Sequence, residues 1–199
     1  MSELWKINEN FKGYSSKRTS IADTFTKRQK HVGYKRNYTR LDQEQLLELL
    51  KVAKENCWTA LDLSNCGLDK LPDELWEIES LKLLYLGNQE EIAKDVNTFT
   101  EISEKIQNLC NLEALSIRNL KSLKLPNSLK HLPNLVYLDC FGCDFKKIPL
   151  NLINKNIKSI GIDCKNVEQV ASLCKMKNIE EMYLSGSPIK KTACRNSKS

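Results

Sequence analysis

Residues 58–80 read WTALDLSNCGLDKLPDELWEIES, and the spacing of their apolar side chains decides what the rest of the chain can be. Trp58, Leu61 and Leu63 open the stretch, Cys66 and Leu68 follow, and Leu71, Pro72, Leu75 and Ile78 close it. Leu61 and Leu63 alternate with other residues at the period of a short strand with one buried face. The later Leu-Pro-x-x-Leu spacing returns the chain along the opposite side. One such unit cannot bury its own leucines, so it needs neighbours of the same shape.

Those neighbours follow. Units begin at Trp58, Leu81, Leu112, Leu135, Ile157 and Ile179, at spacings of 23, 31, 23, 22 and 22 residues. A period in the low twenties marks a solenoid. The third unit places Leu112, Leu115, Ile117, Leu120, Leu125, Pro126, Leu129 and Leu132 on the frame, and the fourth places Leu135, Leu138, Cys140, Cys143, Phe145, Ile148, Pro149 and Leu152. The fifth keeps Ile157, Ile160, Ile162, Val167 and Val170 without the proline, and the sixth stops part-way. An asparagine precedes the opening residue at Asn111, Asn134, Asn156 and Asn178. The second unit has eight extra residues; Phe99, Ile102, Ile106 and Leu109 resume its pattern, leaving about residues 90–98 as an insertion on the binding side or a plain surface loop.

This pattern, LxxLxLxx(N/C)xLxxLPxxLxxL, closely resembles the leucine-rich repeat family over residues 58 to about 190. The resemblance implies an α/β solenoid bent into an arc, with a parallel β-sheet on its concave face. Residues 42–56, DQEQLLELLKVAKEN, are expected to form a capping helix within residues 41–57. Asp42 and Gln45 there make a capping-box-like start, and Leu46, Leu49, Leu50 and Ala53 form one apolar stripe. A helix leading into Leu-Asp-Leu-Ser also resembles the start of repeat domains in bacterial Roco-type GTPases, although no GxxxxGK[ST] phosphate loop is present. At the other end, PIKKTACRNSKS supplies no closing helix. An open strand edge there calls for the polar tail, residues 191–199, another chain, or a longer protein to cover it.

The whole chain has 199 residues, 28% of them charged, and a formal charge of +6. Residues 1–40 hold ten Lys or Arg against Glu3, Glu9 and Asp23, a balance of +7, whereas residues 41–199 balance to −1. This leader has no sustained period, and Trp5, Phe11, Tyr14, Phe25, Tyr34 and Tyr38 are spread through it. It is expected to be disordered, or ordered only against something else. Its aromatics could dock on the neighbouring domain, or its charge could meet nucleic acid or an anionic surface, although no RNA- or DNA-binding motif accompanies it. No apolar run approaches the about 18 residues that cross a bilayer, and no signal-peptide core opens the chain, so a cytoplasmic protein is expected, or an effector exported without a cleavable signal.

No catalytic constellation emerges. GxSxG, HExxH and a glycine-rich phosphate loop are absent, and His31 and His131 lie in unrelated contexts, so neither enzyme activity nor a cofactor nor a metal is expected. Of the eight cysteines, Cys66 and Cys143 fall on the Asn/Cys position of the repeat, Cys140 replaces an inward strand leucine, and Cys110 and Cys174 lie in returning segments. All five read as small buried hydrophobes, including the Cys140-Phe-Gly-Cys143 pair that would otherwise suggest zinc or redox chemistry. Cys194, in the polar tail, is the candidate exposed thiol.

What remains is recognition. Residues between the inward strand leucines must face outward. The central outward position is held in turn by Asp62, Tyr85, Ser116, Asp139, Gly161 and Tyr183; Leu83 and Tyr137 stand two before it, and Arg118, Phe141 and Asp163 two after. The reading is a non-enzymatic module that binds a protein partner through Asp62, Leu83, Tyr85, Arg118, Tyr137, Asp139, Phe141, Asp163 and Tyr183, with Leu83 and Phe141 exposed because the frame gives them no core duty.

Overall fold

The computed structural model describes residues 40–88, 95–145, 156–163, 173, 176 and 178–185. The basic leader up to residue 39, the start of the insertion, Ile148, Pro149, Leu152, Val167, Val170, Cys174, Cys194 and the polar tail lie outside them.

Helix α1, Gln43–Glu55, begins where the capping box puts it. Asp42 Oδ1 accepts from Gln45 N at 2.8 Å, and Gln45 Oε1 accepts from Asp42 N at 3.1 Å. Leu46, Leu50 and Ala53 are buried in the same cluster as Leu61 and Trp76. Trp76 is fully buried although the repeat pattern has no apolar position there; the short 3-10 turn that carries it, Asp73–Glu77, packs against α1.

Six strands follow, β1 (Ala60–Asp62), β2 (Leu83–Tyr85), β3 (Ala114–Ser116), β4 (Tyr137–Cys140), β5 (Ser159–Asp163) and β6 (Glu181–Ser185), each parallel to the next in chain order. Pairing runs Leu61, Leu84, Leu115, Leu138, Ile160, Met182 without slippage, so the period of the sequence becomes the register of the sheet. Leu63, Leu86, Ile117, Cys140 and Ile162 form the second inward column and are fully buried. In β6 the equivalent Met182 and Leu184 are only partly buried, as expected where no described strand lies beyond them. Returning segments include further 3-10 turns at Glu104–Asn108 and Asn127–His131.

Asparagines stitch adjacent units together. Asn111 donates to Glu79 O at 2.9 Å, Asn134 to Cys110 O at 2.8 Å and Asn156 to Pro133 O at 2.9 Å. The densest junction belongs to Asn97, a residue the spacing assigned to the insertion. Its Nδ2 donates to Leu63 O and Leu86 O at 2.7 and 2.8 Å, while its Oδ1 accepts from Cys66 N and Leu68 N at 3.1 and 3.0 Å. Thr98 N also donates to Leu68 O, so residues 97–98 belong to the wall of the solenoid.

Candidate functional site

All nine outward residues inferred from the spacing lie on one side of the sheet, opposite the core. Register places Ala60, Leu83, Ala114, Tyr137, Ser159 and Glu181 in one column, and Asp62, Tyr85, Ser116, Asp139, Gly161 and Tyr183 in the next. Arg118, Phe141 and Asp163 stand two residues beyond.

Their exposure differs from the expectation. Leu83 is 1% exposed and Tyr85 4%, and with Ala60 and Ala114 they form a second apolar cluster on which Tyr137 and Tyr183 pack. Strand alternation tells which face a side chain takes; what lies above that face is a separate matter, and here Leu83 has a packing duty after all. Asp62, Arg118, Tyr137, Phe141, Asp163 and Tyr183 are half-buried, whereas Asp139 has no exposed surface.

Arg118 organises the middle of this face. Its Nε donates to Asp139 Oδ2 at 3.1 Å, and its guanidinium carbon sits 5.1 Å from the centre of the Phe141 ring. A cation over an aromatic face is attracted by the ring quadrupole. Ser116 Oγ approaches Asp139 Oδ2 at 3.4 Å, and Phe141 N donates to Asp139 Oδ1 at 3.2 Å. Burial pushes the Asp139 carboxyl up, while Arg118 and these donors pull it down without cancelling the burial. Among the described residues, Arg118 Nη2 has no hydrogen-bond partner. That nitrogen is itself buried, so what the arrangement supplies is a guanidinium held on two sides, by Asp139 and by the Phe141 ring.

The aspartates also serve the backbone. Asp62 Oδ1 accepts from Ser64 N at 2.9 Å, the same two-residue contact that Asp139 makes, and Asp163 Oδ2 accepts from Gly142 N at 2.8 Å. Glu181, at the end of the first column, accepts from the Ser159 and Tyr183 hydroxyls at 3.2 and 3.3 Å. It belongs with the candidate residues, and its column position was the signal for it.

Cys140 and Cys143 are free and buried. Cys143 Sγ contacts Ile117 O at 3.0 Å, the same place at which, two units earlier, Asn97 reaches Leu63 O. Burial pushes the Cys143 thiol up to about 12 and that of Cys140 well above its usual value. Both are thus protonated thiols at neutral pH, poor nucleophiles and poor metal ligands. Among the described residues, no group of three His, Cys, Asp or Glu side chains could hold a metal ion. Cys110 is exposed rather than buried, because its returning segment turns part of its length to solvent, and Cys66, on the Asn/Cys position, is half-buried rather than buried. Maleimide should label Cys57 and Cys110 rapidly in the native protein and spare Cys140 and Cys143 until it unfolds; rapid labelling of either would overturn their inward placement, as peptide mapping can show.

No protein-family model and no curated protein matches the sequence. Among solved structures, an internalin from Listeria monocytogenes superposes with a TM-score of 0.36 at 16% identity, over 75% of this chain and 56% of its own. A leucine-rich repeat protein from Leptospira interrogans does so with a TM-score of 0.28 at 16% identity, over 71% and 57%. The leucine-rich repeat domain of the type III effector XopL superposes with a TM-score of 0.51 at 15% identity, over 90% of this chain and 70% of that domain. Taken with the in-register parallel strands and the returning turns, that likeness shows that the chain has the leucine-rich-repeat fold.

Proposed function

We propose that the chain is a non-enzymatic interaction module whose outer sheet face receives an extended segment of a protein partner. The observation that supports this is a face that carries half-exposed Tyr137, Phe141 and Tyr183 together with Arg118, a guanidinium already stacked on Phe141 and ion-paired with Asp139 before any partner arrives. Tyr and Arg dominate interface hot spots. Holding such side chains in place beforehand saves about 0.5–1.5 kcal/mol of ordering entropy for each on binding. Asp62, Asp163 and Glu181 stand on the same face; Leu83 and Tyr85 form its floor, and Asp139 is the buried support of Arg118.

Tyr137→Ala combined with Phe141→Ala should reduce capture of partner protein from the source cell by about tenfold or more. Both side chains are only partly buried, so the thermal midpoint should move by no more than about 4 °C. Undiminished capture at a preserved midpoint would remove the face from consideration.

A further inference from the structure

We propose that Glu181 and the tyrosines beside it, Tyr137 and Tyr183, receive the cationic side chain of a lysine or arginine carried by the partner segment. The inference rests on the reading of the outer face as a binding surface and names the chemistry that one place on it selects.

The carboxylate is held in position before anything binds. Register puts Tyr137, Ser159 and Glu181 side by side on β4, β5 and β6, in the first outward column. Ser159 is the small member of the three and is 2% exposed. Its hydroxyl donates to Glu181 Oε2 at 3.2 Å, and the Tyr183 hydroxyl donates to the same oxygen at 3.3 Å. The side chain of Glu181 is thus drawn over β5, towards the strand that carries Tyr137. Neutral hydroxyls orient a carboxylate without cancelling its charge.

Neighbouring cations do not cancel it either. Arg118 is engaged by Asp139 at 3.1 Å, and its strand end lies three strand spacings, about 14 Å, from β6. The residues one step before the outer columns pair among themselves, Lys82 with Glu113 at 2.8 Å and Lys158 with Glu180 at 3.1 Å. Among the described residues, no cation stands within ion-pair distance of Glu181. A half-buried carboxylate attracts a cation more strongly than one in bulk water, because less solvent screens it.

The rings complete the site. Tyr137 and Tyr183 are half-exposed, and both pack on the cluster of Ala60, Leu83, Tyr85 and Ala114, so they share one floor. Tyr137 stands two strand spacings, about 10 Å, from Glu181 along the column. An aliphatic stem can lie along that span, and a cation within about 6 Å of a ring centre is attracted by its quadrupole. A carboxylate beside aromatic rings fits a lysine or arginine head group, whereas an acidic segment would meet like charge here.

Random peptides of about 12 residues, long enough to cross the sheet, displayed on phage and selected against the full chain, test this. The peptides recovered should carry lysine or arginine. Glu181→Gln, which keeps the size and an acceptor for both hydroxyls, should weaken their binding about tenfold. Replacing the basic residue of a recovered peptide with citrulline or acetyl-lysine should weaken it equally against the unaltered protein and hardly at all against Glu181→Gln, because both changes remove one interaction. Glu180→Gln, one residue away and paired with Lys158, is the control and should leave affinity unchanged. Recovered peptides without a basic residue, or full binding to Glu181→Gln, would overturn the proposal. Peptides lost in the Tyr137→Ala, Phe141→Ala variant yet indifferent to Glu181→Gln would overturn this assignment alone. Indifference to both variants, or recovery of no peptide, would remove the binding face as well.

Discussion

Asn97→Ala is expected to cost about 4 kcal/mol or more of unfolding free energy. The side chain is 3% exposed, and all four of its hydrogen-bonding capacities are used on backbone groups: Leu63 O, Leu86 O, Cys66 N and Leu68 N. Alanine takes this partner from all four groups, three of them on buried residues, and each buried group left unpaired costs about 1–3 kcal/mol. Asn97→Asp should be no better, because a carboxylate of the same shape donates nothing to the two carbonyls and brings a buried charge. In a solenoid each unit touches only its neighbours, so the damage should localise. Hydrogen exchange should accelerate in α1, β1 and β2 while β4 and β5 keep their protection. Asn111→Ala, which removes one bond from an exposed side chain, is the control at about 1 kcal/mol or less. A loss below about 1 kcal/mol for Asn97→Ala in urea titration would refute its role as the junction of the first two units.

Gly87→Ala is the second large effect, at about 3 kcal/mol or more. A Cβ on Gly87 would stand 2.2 Å from Arg118 N and 2.3 Å from Arg118 O. These are backbone atoms of the next unit, which is itself held to this one by Gly87 N to Ser116 O at 3.2 Å and Asn88 N to Arg118 O at 2.6 Å. Neither chain can step aside without losing those bonds. Gly161→Ala makes the contrast: its Cβ would meet Phe141 Cε2 at 2.6 Å, the far edge of a side chain that can swing away. That variant should keep most of its stability and lose Arg118 stacking instead. Thermal melts of the two variants decide the matter; equal midpoints would show that the close backbone approach at Gly87 is not a constraint.

These cases mark how far the residues alone could be read. Alternation at Leu61 and Leu63, repeated at intervals near 22, was enough to name the strands, their order and their columns. In a parallel solenoid the repeat length is the register, and every pair from Ala60 and Leu83 through Gly161 and Tyr183 follows from it. The capping box at Asp42 was equally plain, since Asp and Gln three apart are local chemistry. Cys143 was legible too, as a small group that meets a neighbouring carbonyl.

Asn97 was not, because the insertion moves it out of frame. Asn-Thr-Phe at 97–99 repeats the spacing of Cys-Gly-Leu at 66–68, a signal hidden until the frame is reset after the extra residues. Trp76 escaped because its burial comes from the turn Asp73–Glu77 packing between α1 and the next turn, Glu104–Asn108, which the repeat pattern does not register.

The outer face divides along the same line. Periodicity established that Leu83, Tyr85, Asp139 and Phe141 point away from the core, since successive side chains of a strand must alternate. It could not establish that Leu83 and Tyr85 are covered, that Asp139 lies wholly buried beneath Arg118, or that Phe141 carries the guanidinium. Those facts depend on contacts between strands more than 20 residues apart and on what lies above the sheet, and a dihedral period contains no information about either.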